Sequence, residues 1–201
     1  MIKFTLHPEK LQVTFLYTAR RVFDKNYGGE VMAWEKYLEW SKLTHLTELI
    51  SLDINLNEVL VGIDYESQDY WENSVVGENE FETSCFKTLE YVLLNNKAKD
   101  KFNLLTVVIE PQQDCKINQL NDYDFIGYEL LDKDYSTSAL SNCGGFNETF
   151  LPRELNNFGL IDEFEKAYDL KKRLLENNPN EFHADTNVIA VWRHKIIGKK
   201  K

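Results

Sequence analysis

The sequence is poor in cysteine, proline and glycine, and it contains no long apolar run. Four prolines and nine glycines among 201 residues exclude a collagen-like or low-complexity chain, and a hydrophobic fraction of 43% favours a well-filled core. The N-terminal stretch MIKFTLHPEK lacks the apolar centre of a signal peptide. The longest apolar runs are far too short to span a bilayer. We therefore expect a soluble, cytoplasmic protein that binds no membrane.

The three cysteines, Cys85, Cys115 and Cys143, are widely spaced and form no CxxC pair. No Cys/His spacing typical of a structural zinc site is present, and the four histidines are scattered along the chain. An odd number of cysteines without a secretion signal favours a reducing compartment and free thiols. The sequence therefore predicts no metal site.

Motifs of the common enzyme classes are also missing. The phosphate-binding pattern GxxxxGK[ST], the dinucleotide pattern GxGxxG and the nucleophile elbow GxSxG are all absent. An ordinary ATPase, dehydrogenase or serine hydrolase carries one of them. We therefore expect no bound cofactor, and a protein that is not an enzyme is the favoured interpretation.

Lysine and arginine are absent from residues 43–86, the acid-rich segment, which holds ten of the 33 acidic residues. The other 23 acidic residues equal the 23 lysines and arginines, so this segment accounts for the whole formal charge of −10. A nucleic-acid-binding protein needs a basic face to neutralise phosphates. The charge therefore argues against a nucleic-acid partner, and the local asymmetry favours a basic one.

Apolar periodicity predicts one α+β domain over residues 1–201, with a mainly helical part at 1–48, a sheet-containing part at 49–198 and a basic tail at 199–201. An apolar stripe from Leu11 to Phe23 and a second from Val31 to Ser41 predict an N-terminal helical hairpin, joined at Gly28-Gly29. We expect the sheet to be mixed or antiparallel, with helices packed on it.

Alternation of apolar and polar residues over 50–57 predicts a strand with one wet face. Helical spacing is present from Cys85 to Leu93 and, most clearly, from Ile161 to Leu175. Three apolar stretches predict further strands, at 102–109, 124–132 and 187–195.

Cys143 lies in the stretch SALSNCGGFNETF and is a candidate nucleophile. With His183 and Asp185 it would complete a catalytic triad, because a reactive thiol needs a nearby histidine or cation to lower its pKa. The alternative is structural, with Gly144 and Gly145 forming a turn and the small thiol packed beneath it. The triad defines the enzyme alternative, a small thiol-dependent enzyme that uses Cys143 with His183.

The acid-rich segment interleaves carboxylates with aromatic side chains. We call this set the acidic/aromatic surface, and it consists of Asp64, Tyr65, Glu66, Asp69, Tyr70, Trp71 and Glu72. Aromatic side chains bury a large area at low entropic cost, and carboxylates steer a basic partner during encounter. The alternative is a solvated acidic loop whose aromatic side chains fold back into the core.

In size, acidity and lack of catalytic motifs the chain is similar to bacterial immunity proteins, which hold the active site of a toxin shut. That similarity is one of gross character and assigns no residue. The favoured hypothesis is therefore a non-catalytic protein-binding module, of immunity or inhibitor type, that docks a basic protein. A third possibility is a domain that binds a small molecule in a pocket lined by tyrosines and tryptophans.

Overall fold

The computed structural model describes residues 14–27, 32–77, 80–98, 100–116, 120–142 and 149–198. The helices and strands in chain order are β1 (Leu16–Arg21), β2 (Phe23–Asp24), α1 (Trp34–Ser41), β3 (Glu48–Leu49), α2 (Gln68–Asn73), β4 (Ser74–Val76), β5 (Glu82–Phe86), α3 (Leu89–Asn95), β6 (Phe102–Ile109), β7 (Tyr123–Asp132), α4 (Phe164–Asn177) and β8 (Thr186–His194). Short 3₁₀ turns occupy Pro152–Glu154 and Phe182–Ala184. The fold class is α+β, as the sequence predicts.

Six strands form one antiparallel sheet in the order β4-β5-β1-β6-β8-β7, and β2 pairs separately with β3. The strands predicted around 102–109, 124–132 and 187–195 are confirmed as β6, β7 and β8. Gly127 lies at a register shift in β7 with φ 138°, and a Cβ there would approach the Leu160 Cβ to 2.7 Å. Glycine therefore allows the chain at Ile161 to form a bridge with Tyr128 along the edge of the sheet.

The two faces of the sheet are covered differently. The register places Ala19, Leu104 and Ala190 on one face, which α3 covers at the β1–β5 side and α4 covers at the β7–β8 side. The opposite face carries Leu105 and Val191 and packs against residues 50–52 and 158–160. Helices thus cover one face, whereas irregular backbone covers much of the other.

The predicted N-terminal helical hairpin is not confirmed, because residues 16–24 form strands β1 and β2 instead of a helix. The second helix of the predicted hairpin is present as α1. The first residues of the hairpin and its Gly28-Gly29 turn lie outside the described residues. Strand β1 is buried on both faces along most of its length. Apolar residues at Phe15, Ala19, Val22 and Phe23 therefore fit a helical stripe by coincidence, since a strand buried on both sides has no polar face.

The strand predicted over residues 50–57 is wrong. Backbone N–H groups of Asn55 and Leu56 bind the Asp53 carboxylate at 2.7 and 3.0 Å, so the chain turns where a strand would continue. The expected wet face is absent as well: Ser51, Asp53 and Asn57 are buried, whereas Ile54 is 45% exposed. Turn-forming Asp and Asn side chains thus prevail over the alternation of apolar residues.

The helix predicted from Cys85 begins later, because residues 82–86 form β5 and the helix α3 begins at Leu89. The Thr88 side chain caps it by accepting a hydrogen bond from the Tyr91 N–H at 3.3 Å. The amphipathic helix predicted around 161–175 is confirmed as α4, which buries Ala167, Leu170 and Leu174. Across the described residues, no helix has the length and apolar character needed to cross a membrane.

Candidate functional site

The acidic/aromatic surface lies on α2 and on the turn that leads into it. Tyr65 in the turn is 61% exposed and Trp71 on the helix is 49% exposed. Tyr70 is fully buried and packs in the cluster beneath α3, which includes Phe86 and Tyr91. Tyr70 therefore supports this surface from below and is not accessible to a partner, in contrast to the role predicted for it.

Tyr65 and Trp71 are held together as a pair. The Trp71 Nε1 donates a hydrogen bond to the Tyr65 carbonyl at 2.8 Å, and the two ring centroids lie 6.2 Å apart. Both rings also contact Tyr70, with centroid distances of 5.3 Å from Tyr65 and 5.1 Å from Trp71. The exposed pair is thus ordered before any partner binds.

The four carboxylates of this surface are exposed, and three of them accept hydrogen bonds from neutral groups. The Glu66 N–H donates to Asp64 at 3.1 Å, the Gln68 amide donates to Glu72 at 2.6 Å, and the Asn73 amide donates to Asp69 at 3.2 Å. These bonds orient the carboxylates and leave their charge in place.

The lysines and arginines that form ion pairs in the described residues do so with carboxylates outside this surface. Arg21 pairs with Glu58 at 2.7 Å, and Lys171 pairs with Glu110 at 2.6 Å. Among the described residues, no lysine, arginine or histidine lies within 4.0 Å of a carboxylate of the acidic/aromatic surface, and Lys87 instead donates to the Glu72 backbone carbonyl at 2.9 Å. The surface therefore keeps an uncompensated negative charge.

Sequence reasoning missed the apolar part of this region. Ile63 is 39% exposed, and Leu93 and Leu94 on α3 are 41% and 77% exposed. The signal was present, because α3 buries Tyr91 and Val92, and a helix resting on a sheet cannot also bury the two residues that follow them.

The first part of the acid-rich segment enters the interior. Asp53 accepts hydrogen bonds at 2.8 Å from the Ser138 N–H and from the Asn142 side chain, so it fixes the chain just before Cys143. Burial raises the pKa of the Asp53 carboxyl above its usual range, and these hydrogen bonds oppose the shift. Glu48 pairs with Arg193 at 2.9 Å. These carboxylates hold the fold together and are unavailable to a partner.

Glu129 on β7 belongs to the same buried network. Its carboxylate accepts hydrogen bonds from Ser51 Oγ at 2.9 Å and from Ser138 Oγ at 2.8 Å. Complete burial raises the pKa of Glu129 to about 7, with the nearby Asp53 charge adding to the shift. This carboxyl therefore holds its proton to a higher pH than an exposed glutamate does.

His183 and Asp185 of the predicted triad do not pair with each other. His183 Nδ1 lies 2.8 Å from Asp132 Oδ2, whereas Asp185 lies 3.6 Å from Lys133 Nζ. Asp132 is fully buried, so it is Asp132 that orients the partly exposed imidazole. Cys143 lies outside the described residues.

The other two thiols are inert by environment. Cys85 and Cys115 are free and buried, and burial raises the pKa of each thiol to about 12. Neither thiol forms a thiolate near neutral pH. The described part of the chain also contains no group of three or more His, Cys, Asp and Glu side chains that could hold a metal ion.

Two open depressions lie beside the beginning of β7, with volumes of about 680 and 280 Å³. They share Lys116 and Phe125. The larger one is lined mainly by polar groups, such as Asn121 and Asp122, whereas Ile126 and Phe158 give the smaller one a more apolar wall. A small-molecule site is usually concave and mostly apolar. These depressions give the small-molecule hypothesis little support.

Comparison of the chain with protein-family models, with curated proteins and with solved structures yields no match. Geometry and charge therefore carry the functional argument.

Proposed function

We propose that this chain is a non-catalytic protein-binding module, of inhibitor or immunity type, whose acidic/aromatic surface docks a basic protein. The observation that carries the proposal is the exposed, hydrogen-bonded pair of Tyr65 and Trp71. It is bordered by four carboxylates with which no cation of the described residues forms an ion pair.

The aromatic pair supplies the contact area. Tyrosine and tryptophan are enriched among the side chains that dominate binding energy, because each buries a large area and loses few rotatable bonds. The hydrogen bond between Trp71 and the Tyr65 carbonyl orders the pair in advance, so a partner need not order it on binding. A lysine or arginine of the partner also gains a cation–π contact with the indole ring.

The carboxylates supply recognition. Asp69 and Glu72 lie three residues apart on α2, so their side chains project from the same side of the helix. Uncompensated negative charge accelerates encounter with a basic surface and disfavours acidic partners. Association is therefore expected to be fast and to weaken as salt screens the charges.

Charge reversal tests the proposal. The triple variant Glu66→Lys, Asp69→Lys and Glu72→Lys is used as bait in a native lysate, and basic proteins captured by the wild type are quantified by mass spectrometry. The matched control reverses Glu35, Glu39 and Glu165, which are exposed and lie outside the acidic/aromatic surface. Both variants change the net charge equally, so only the position of the reversed charges differs.

We expect the first variant to capture at least about tenfold less of the basic protein than the wild type does, because several steering charges change sign together. The control is expected to retain it. If both variants retain it equally, the acidic/aromatic surface is not where the partner docks.

A second candidate function, a thiol-dependent enzyme, is favoured by one observation. The buried Asp132 carboxylate orients His183 in the manner of an acid that fixes a catalytic base, with Asp132 in place of the expected Asp185. Cys143 would supply the nucleophile.

Alkylation of the folded protein separates the two candidates. A thiolate activated by His183 reacts with iodoacetamide at neutral pH faster than the same cysteine in unfolded chain, and His183→Ala removes the excess rate. The protein-binding proposal expects no such excess at Cys143. Cys85 and Cys115 are the internal controls, since their buried thiols react only on unfolding.

A further inference from the structure

The acidic/aromatic surface continues into an exposed apolar strip formed by Ile63, Leu93 and Leu94. The chain before Ile63 runs antiparallel to the end of α3, because Val61 forms a bridge with Asn96 and the Gly62 N–H donates to the Asn95 carbonyl at 2.7 Å. This register brings Ile63 beside the last turn of α3.

Leu94 borders the acidic side as well. Leu94 lies in the last turn of α3, beside which the register places Ile63. Ile63 is followed directly in the chain by Asp64 and Tyr65, the first two residues of the acidic/aromatic surface. The strip and the acidic/aromatic surface therefore form one continuous region.

Contiguous exposed apolar side chains with a charged rim are typical of an interaction site. Three kinds of occupant have an apolar face: a membrane, a second copy of this chain, and a protein segment. The carboxylates of the acidic/aromatic surface repel an anionic bilayer, and in a symmetric dimer they would face their own copies. Charge complementarity favours a protein segment that is apolar along its centre and basic along its sides.

We propose that the strip and the acidic/aromatic surface together bind an amphipathic cationic helix of the partner. Leucine-like side chains of that helix pack on Leu94, Leu93 and Ile63, and its lysines and arginines reach the carboxylates and the face of Trp71. This inference rests on the proposed function, and it adds an apolar component that salt does not screen.

The test uses two synthetic 18-residue peptides of leucine and lysine, one with an amphipathic helical pattern and one with the same composition scrambled. Fluorescence polarisation measures their binding to the wild type, to Leu94→Ala and to the triple charge reversal at Glu66, Asp69 and Glu72. Leu175→Ala is the matched control, because Leu175 is an exposed leucine on α4, which covers the other end of the same sheet face. Leu94 is so exposed that its truncation leaves the core intact.

We expect Leu94→Ala to weaken binding of the amphipathic peptide about tenfold, with little effect on the scrambled peptide. The charge reversal is expected to abolish binding of both peptides, and Leu175→Ala to change neither. Raising the salt concentration is expected to weaken binding of the amphipathic peptide less than that of the scrambled one.

The possible failures are distinguishable. Equal binding of the two peptides, or no effect of Leu94→Ala, together with loss on charge reversal, overturns the helix inference and leaves the proposed function standing. Binding that survives charge reversal overturns both. Binding of anionic vesicles, or self-association in sedimentation, that Leu94→Ala abolishes assigns the strip to a membrane or to a second copy and overturns the inference.

Discussion

Asp53 and Asp69 belong to the same acid-rich stretch of the chain, and the fold places them in opposite surroundings. Asp53 is fully buried and its carboxylate accepts hydrogen bonds from Ser138 and Asn142, far along the chain. Asp69 is exposed, and its carboxylate accepts a hydrogen bond from Asn73 on the same short helix. One carboxylate connects distant parts of the fold, and the other faces solvent.

The density of charge along the sequence and the charge displayed on the surface are therefore separate quantities. The Asp53 carboxylate accepts a hydrogen bond from the Asn55 N–H, which turns the backbone. It also accepts one from Ser138, in a segment far along the chain. Around Asp69 the only side chain that α2 buries is Tyr70, so the carboxylates project outward. The proposed function concerns this outer part alone.

Truncation of each aspartate to alanine is expected to give the largest contrast between the two positions. Asp53→Ala leaves four buried or partly buried donors without an acceptor, and we expect it to lower the free energy of unfolding by about 3 kcal/mol or more. Asp69→Ala is expected to change it by less than about 1 kcal/mol. Urea denaturation followed by circular dichroism measures both, and equal losses would contradict the division into a buried and an exposed part.

The next effect concerns pH and Glu129. Burial raises the pKa of this carboxyl in the folded state to about 7, above the 4.5 of an exposed glutamate, so the folded state binds the proton more tightly. Its contribution to stability is therefore complete below pH 4.5 and is lost as pH rises through 7. Between about pH 5.5 and pH 8 the loss is about 2 kcal/mol.

Glu129→Gln isolates this contribution from those of other groups. Glutamine resembles the neutral acid, and Ser51 can accept from its amide while donating to Ser141. We expect the stability of the variant relative to wild type to increase as pH rises across that range, measured by urea denaturation at each pH. A constant difference would show that Glu129 stays charged in the fold.

Ionic quenching gives the smallest effect and needs no partner. Trp34 and Trp192 are buried, so Trp40→Phe leaves Trp71 as the exposed tryptophan. Negative potential around Trp71 concentrates caesium and repels iodide, and we expect reversal of Glu66, Asp69 and Glu72 to lower the caesium-to-iodide quenching ratio roughly twofold at constant ionic strength. An unchanged ratio would mean that these carboxylates create no local potential at Trp71.

Much of the sheet could be predicted from sequence, because β6, β7 and β8 are buried and their apolar residues are nearly continuous. The chain through β1 and β2 could not, since Ala19, Val22 and Phe23 are all buried and their spacing also fits a helix. The strand prediction for residues 50–57 failed for another reason. Polar side chains of this segment form hydrogen bonds with Glu129, Ser138 and Asn142, which lie far away in sequence.

Side-chain exposure within the candidate site could be predicted where it depends on local sequence. The exposure of Tyr65 and Trp71 agrees with their place in a polar stretch, whereas Tyr70 is buried because a short amphipathic helix must direct one side chain inward. The pairing of His183 with Asp132 could not be read from sequence, since it joins the end of β7 to the chain just before β8. Proximity in sequence favoured Asp185 instead.

Hydroxyl-radical footprinting of the protein, alone and in complex with the basic protein it captures, shows which side chains the partner covers. We expect oxidation of Tyr65, Trp71 and Leu94 to fall in the complex, and oxidation of Phe182, which is 57% exposed beside His183, to stay unchanged. Unchanged oxidation of Tyr65 and Trp71 with protection at Phe182 would contradict docking at the acidic/aromatic surface.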